Sequence, residues 1–356
     1  MFLKYFPNLM INKFIIQVQN LVTLIRAKDW WVCKIAPIFG TAYATATILN
    51  VSLFSLWSSL IFLLIAVILD ASFASIINNI CDREEDQLSG KVNYMVGRSS
   101  LFIALILTAT ILLGIVVSIL MIPTPLILGV YVSNWLVFVT YSIPPIRLKQ
   151  RGFWGILAIA LGESFLPHLF TALLIVNNVH KGLPVMWLIL VSVWSFATGL
   201  RSILWHQMDD LQNDLRAGIN TFAVNRSTQT LQRLGKWIVF PVEITALMGM
   251  LFLFHNTLVW ILLLIYLITE YLRHYFWKME IIIVVPSSDN RFALFEYYEI
   301  FYPLGFIYLA ISQDPINLIF LGLFTIFYSN RLWWWLRDIY SLLVWDIPKY
   351  FHKVEN

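Results

Sequence analysis

Charge is scarce in this chain. Asp, Glu, Lys and Arg make up 12% of its 356 residues, while 60% are hydrophobic. A water-soluble domain carries about a quarter charged residues, so the composition excludes an ordinary soluble enzyme and implies a multi-span membrane protein. Cysteine is nearly absent. Cys33 and Cys81 give no disulfide framework, and Cys81 reads as a packing residue. Low-complexity tracts, short-period repeats, a soluble domain and a cleavable signal peptide are also missing. No nucleic-acid partner is expected.

What is present is a series of apolar stretches of spanning length, about 20 residues each. They fall at 30–50, 55–79, 100–121, 123–141, 153–176, 184–206, 236–254 and 257–275. Residues 298–312 and 315–335 read either as two short spans or as one broken one, joined at Gln313-Asp314-Pro315. The fold class is therefore all-α, a transmembrane bundle of nine, possibly ten, helices. Residues 1–28 alternate polar and apolar side chains and read as an amphipathic helix on the membrane surface. Residues 333–356 mix Trp, Arg, Lys and Asp and read as an interfacial helix. The domain division is then 1–28, 29–332 and 333–356.

The cations are unevenly distributed. Lys4, Lys13, Arg26 and Lys28 precede the first span. Arg83, Lys91 and Arg98 follow the second, Arg147, Lys149 and Arg151 the fourth, and Arg216, Arg226, Arg233 and Lys236 the sixth. The opposite loops hold Lys181 and little else. By the positive-inside rule the N-terminus and all these basic loops face the cytoplasm. Arg331, Arg337, Lys349 and Lys353 draw the C-terminal end toward the same side, which favours an even number of spans or a re-entrant ninth.

Two acidic runs close apolar segments on that same side. In Asn78-Asn79-Ile80-Cys81-Asp82-Arg83-Glu84-Glu85-Asp86 the residues Asn78, Asp82 and Asp86 are four apart, which stacks them on one helix face. The run His206 to Asp214 repeats the pattern with Asp210 and Asp214, offset by 128 residues (82 and 210, 86 and 214). Two such ladders suggest related halves. Carboxylates at membrane-helix ends are costly and usually functional. An all-oxygen set suits a hard divalent cation, and Mg²⁺ binds such a set together with phosphate. The third piece is Thr140-Tyr141-Ser142-Ile143-Pro144-Pro145-Ile146-Arg147-Leu148-Lys149. Pro-Pro ends the fourth helix, and Tyr141, Ser142, Arg147 and Lys149 then offer hydroxyls and cations. Basic loops over acidic ladders make a diphosphate trap. Anionic lipid is the other explanation for the basic loops.

These residues resemble a known family. Asn78-x-x-x-Asp82-x-x-x-Asp86 is similar to the first Asn/Asp-rich motif of the UbiA superfamily of intramembrane prenyltransferases. Asp210-x-x-x-Asp214 with Ala217-Gly218-Ile219-Asn220-Thr221 resembles the second, and Tyr141-Ser142-x-Pro144-Pro145-x-Arg147-Leu148-Lys149 the segment after the fourth helix. The resemblance covers roughly residues 25–330. It implies a nine-helix bundle around a central cavity with a cytoplasmic polar cap. It also implies Mg²⁺-dependent ionisation of an isoprenyl diphosphate and transfer of the prenyl group to a small-molecule acceptor, often aromatic. Asn78, Asp82, Asp86, Asp210 and Asp214 would hold metal. Lys91, Arg98, Tyr141, Ser142, Arg147 and Lys149 would hold the diphosphate.

The sequence departs from the family pattern twice. His206 stands where many members carry a third Asp, one turn before the second motif. It would orient a carboxylate, bind phosphate or remove a proton, or serve as a hydrogen-bonded helix residue. Lys91 is followed by Val92-Asn93-Tyr94 rather than an Arg-Pro pair. An acceptor-free terpene cyclase of the same superfamily is therefore the alternative reaction. A transporter or lipid-binding membrane protein that uses the acidic site for cations is a more distant one, since no matched pair of broken helices is evident. Asp70, eight residues before Asn78 on the same face, would either line the acceptor cavity or pair with a neighbouring span. Glu163, His168, Glu296 and Glu299 are left between cavity lining and structural hydrogen bonding.

Overall fold

The computed structural model describes residues 16–179, 182, 184–286 and 291–350. Most of the amphipathic segment expected at 1–28, together with Lys181 and Lys353, lies outside the described residues. Among the described residues seven helices are long and apolar enough to cross a membrane. They are α2 (Leu53–Cys81), α4 (Ser100–Leu120), α5 (Pro125–Ser142), α6 (Phe153–Val179), α7 (Val185–Asp209), α9 (Thr228–Phe252) and α10 (Thr257–Trp277). Two short polar helices follow α2 and α7: α3 (Arg83–Ser89) and α8 (Leu211–Ala217).

Two further helices are shorter. α1 (Ala36–Ile48) packs against α11 (Tyr302–Gln313); α1 is mostly buried, and α11 is buried along one side with Tyr308 exposed. Each is extended at its start by a π-helical turn, Trp31–Ile35 and Tyr297–Phe301. A third π turn, Leu161–Phe165, interrupts α6. Single π turns inside helices recur at functional sites, and these three carry Lys34, Glu299 and Glu163 respectively.

At the chain end the helices are broken at the Gln313-Asp314-Pro315 junction. α11 stops where the Asp314 side chain accepts from the Ile316 N–H. Ser52, in the loop between α1 and α2, donates to Asp314 (2.9 Å), and buried Asn317 accepts from the Phe54 N–H (2.9 Å). The break therefore sits at the face opposite α3 and α8. The chain then returns as α12 (Leu318–Phe327) and α13 (Ser329–Ser341), where Asp338 meets Arg273 near the end of α10 (2.9 Å). Tyr328 separates these two helices. α13 also runs through the 332/333 boundary without a break.

The outer helices present apolar side chains outward. Leu101, Leu105, Leu112, Val116 and Ile119 of α4 are all exposed, as lipid contact requires. The central helices approach closely through small residues. A Cβ at Gly199 of α7 would lie 2.8 Å from the Ala160 carbonyl oxygen and 3.0 Å from the Ser164 Cβ of α6. Backbone cannot move aside as a side-chain tip can. Gly199→Ala is therefore expected to destabilise the purified protein by about 1–3 kcal/mol, read as a lowered unfolding temperature. An unchanged temperature would show that α6 and α7 can separate.

Candidate active site

The connections after α2, α5 and α7 gather into one polar layer. At its centre Asp82 ends α2 and begins α3 with a bent backbone, φ −101° and ψ 8°. Its N–H still reaches the Asn78 carbonyl (2.9 Å), and the Asp86 N–H reaches the Asp82 carbonyl (2.8 Å). The expected four-residue ladder persists, but it is hinged at Asp82 rather than stacked on one straight helix. The second motif is built the same way. Asp210 (φ −84°, ψ −1°) bonds back to His206 (2.9 Å), and Asp214 to Asp210 (2.9 Å). α3 and α8 end on left-handed glycines, Gly90 (φ 74°) and Gly218 (φ 67°), a helix stop that avoids a Cβ clash.

The correspondence continues past the glycines. Asn93 donates to Asp86 Oδ2 (2.7 Å), and Thr221 to Asp214 Oδ2 (3.1 Å). Ser99 and Ser227 cap the next helices, α4 and α9. Each pair is again 128 residues apart (93 and 221, 99 and 227). The two motifs thus share one local structure, and α3 packs against α8.

The cations sit on the carboxylates. The loop after α5 contains the cis peptide Pro144–Pro145 and then Arg147 in a left-handed conformation, φ 38°. That region is strained for a residue other than glycine. Arg147 donates to the Cys81 carbonyl and to Asp82 Oδ1 (both 3.2 Å) and pairs with Glu85 (3.0 Å). Buried Lys149 bonds Asp82 and also Glu85 (2.6 Å), and Gln150 donates to Glu85 (2.8 Å). On the second motif, Lys91 pairs with Asp210 Oδ2 (2.8 Å), and His206 Nε2 lies 3.5 Å from the same oxygen. Burial pushes the Asp82 carboxyl above its ordinary range despite Lys149. Burial likewise raises Asp214, against the Thr221 hydroxyl. For Asp210 burial is outweighed by the bond from Lys91 and the neighbouring His206, and its carboxyl is held low.

Below this layer lies a cavity of about 470 Å³. Asn78, Tyr141, Ser142 and His206 line it near the cap, with Asp70 and Glu163 deeper. The four aspartates belong to the layer above rather than to its walls. Arg98 stands apart from both, exposed, with its guanidinium 5.3 Å from the Phe102 ring centre. Glu163 pairs with Lys34 (2.9 Å) and Glu299 with Arg331 (3.0 Å), all four at the cavity wall. Glu296 instead joins a network with Arg273 and Arg291. His168 packs on Trp194 (ring centres 4.9 Å apart), beside a smaller neighbouring cavity.

Sequence reasoning assigned no role to Glu85, Asn93 or Gln150. The signal for Glu85 is its place three residues after Asp82, on the same helix face. Asn93 and Gln150 carry no such signal, because loop folding alone brings them in.

A divalent cation fits the donors here. Every candidate ligand is oxygen, and Asn78 Oδ1 is buried without a hydrogen-bond partner. Among the described residues no three His, Cys, Asp or Glu side chains form a metal-sized group. Mg²⁺ does not require one, since it binds through one or two carboxylates together with phosphate and water.

Residues 36–282 match the model of the UbiA prenyltransferase family. The chain belongs to that family. Two solved structures share the UbiA fold at 14% identity and a TM-score of 0.50: a UbiA homolog from Archaeoglobus fulgidus bound to GPP and Mg²⁺, and the same homolog bound to DMAPP and Mg²⁺. Each alignment covers 90% of this chain and 99% of the homolog. No curated protein matches.

Proposed function

We propose that this UbiA-family chain is an Mg²⁺-dependent intramembrane prenyltransferase. It ionises an isoprenyl diphosphate in the polar cap and transfers the prenyl group to a small-molecule acceptor, often aromatic, in the cavity below. One observation carries the reading: four aspartates and three cations, Lys91, Arg147 and Lys149, form a single layer directly over a cavity walled by Asn78, Tyr141 and Ser142. The homologs bound to GPP or DMAPP with Mg²⁺ support it.

Asn78, Asp82, Asp86, Asp210 and Asp214 are the residues that would hold Mg²⁺. When bound, the metal neutralises phosphate oxygens and stabilises the leaving charge. Lys149 and Arg147 are shared between Asp82 and Glu85, and Lys91 is held by Asp210. These cations lie where a diphosphate would arrive and can exchange a carboxylate partner for a phosphate one. The Tyr141 and Ser142 hydroxyls donate to the same group. The C1–O bond breaks with its electron pair leaving on the diphosphate. The acceptor carbon supplies the new C–C bond and loses a proton. His206, on the cavity wall beside Asp210, is placed to receive it. Arg98, exposed and away from the layer, would meet the diphosphate only after a change in its loop.

We further infer that the cap faces the cytoplasm, since Arg83, Lys91, Arg147, Lys149, Arg151, Arg216 and Arg226 all lie at that end. Residues 29–332 would form the catalytic unit, and 333–356 its interfacial extension.

The test is diphosphate release by purified protein with Mg²⁺ and geranyl, farnesyl or geranylgeranyl diphosphate, with and without aromatic acceptors. A prenylated adduct formed only with acceptor is expected. A cyclic hydrocarbon or alcohol formed without acceptor would replace the transferase with the cyclase. No release from any diphosphate would sink both.

A further inference from the structure

A small, mostly apolar pocket holding three polar groups adjoins the main cavity. Asp70 of α2 and Tyr131 and Asn134 of α5 line it, among Val67, Pro167 and Phe170. Asp70, Val67 and Pro167 also line the main cavity, so the two spaces join there. Asn134 Nδ2 donates to Asp70 Oδ2. That bond uses one oxygen of the carboxyl and the nitrogen of the amide. Asp70 Oδ1, Asn134 Oδ1 and the Tyr131 hydroxyl are buried with no hydrogen-bond partner.

Three unpaired polar atoms in the apolar interior of a bundle are a large penalty, roughly 1–3 kcal/mol for each group. Such groups are normally satisfied by protein, water or ligand. Packing alone does not account for them. Asp70 is 7% exposed, and Asn134 and Tyr131 are each 4% exposed, so bulk solvent does not serve them either. The pocket has a volume of about 10 Å³, about the least that holds a single water-sized group. Two of the free atoms are acceptors, and the third is a hydroxyl able to donate. The complementary group donates to Asp70 or Asn134 and accepts from Tyr131. An O–H does both; an ether, a ketone or a hydrocarbon does not.

We propose that this pocket is a one-oxygen subsite for the hydroxyl of the acceptor, with a water molecule taking the same place when no acceptor is bound. The inference deepens the transferase reading and rests on it. Asp70 lies eight residues before Asn78, about 12 Å along the helix, so the hydroxyl is anchored away from the diphosphate. The opposite end of the acceptor is thereby presented to the cap. The subsite would select hydroxylated acceptors over deoxy analogues of the same shape. An apolar prenyl tail would not be drawn to it.

The probes are 2-naphthol and naphthalene, which differ by one hydroxyl. Binding is read from the shift in unfolding temperature of the full chain in detergent, without diphosphate or metal, so the result does not depend on turnover. 2-Naphthol is expected to bind the native protein about tenfold more tightly than naphthalene, the value of one hydrogen bond to a buried polar group. Asp70→Leu and Tyr131→Phe should each reduce that ratio toward one. Tyr131→Phe keeps the ring and removes only the oxygen, so it remains informative if Asp70→Leu does not fold. A ratio near one in the native protein, or a ratio unchanged in Tyr131→Phe, would assign the pocket to water alone and overturn the acceptor subsite. Failure of the transferase reading shows up separately, as absence of diphosphate release.

Discussion

Asp82→Ala is expected to reduce diphosphate release by at least about a thousandfold, beyond the 10²–10³ lost with one neutral charge-stabilising donor. Asp82 is the hinge between α2 and α3 and the carboxylate on which both Arg147 and Lys149 converge. The substitution takes a proposed metal ligand and a cation anchor together. The two roles are separable. In Asp82→Asn the side chain can still accept a hydrogen bond from Lys149, but its affinity for a hard cation falls. If Asp82 acts chiefly on metal, Asp82→Asn should show a raised Mg²⁺ requirement and regain rate as metal is added. If it acts chiefly by holding Lys149 and Arg147, added Mg²⁺ should not restore the rate, and Glu85→Gln should produce a comparable loss. Turnover retained in Asp82→Ala would remove the first motif from the chemistry.

The contrast between Asp82 and Glu85 also shows how far the sequence carries. Spacing places Asn78, Asp82 and Asp86 one turn apart, and the structure keeps that relation through backbone bonds at every step. Local periodicity is legible because it is set within a few residues. The cavity was less legible. Asp70 is recognisable from its period on α2, but Asn134 comes from another helix, and no pattern in α5 marks it out. Glu163 is an evident intramembrane carboxylate, whereas its partner Lys34 depends on two π turns facing each other. Side chains joined across helices follow from the packing of those helices, which one sequence does not print. Arg98 fails in the opposite sense. It lies in the right loop by sequence, yet the exposed turn before α4 directs it onto Phe102 instead of toward the carboxylates.

The largest stability effect is expected at a pair that the motifs do not touch. Arg201 of α7 and Glu243 of α9 are fully buried and form two bonds of 2.6 and 2.7 Å. Tyr298 adds a bond to Glu243 (2.8 Å), and Arg201 also donates to the Ala293 carbonyl (2.8 Å). Phe292 packs under the guanidinium, its ring centre 4.2 Å away. Removing one partner leaves the other charge buried and unpaired, so Arg201→Met or Glu243→Leu should each cost about 3–5 kcal/mol. The double variant removes both charges and should recover much of that loss, because a buried pair replaced by apolar side chains is often near neutral. Unfolding temperatures of the four proteins make the cycle, and additive losses would show that the two residues are not coupled. Recovery of stability need not recover activity. Arg201 donates to the Ile283 and Ala293 carbonyls, and Phe292 and Phe295, beside Ala293, line the main cavity. A double variant that folds normally but loses affinity for the isoprenyl diphosphate would separate the two contributions: the ion pair as a net gain in stability of little size, and as the device that holds one aromatic wall of the cavity in place.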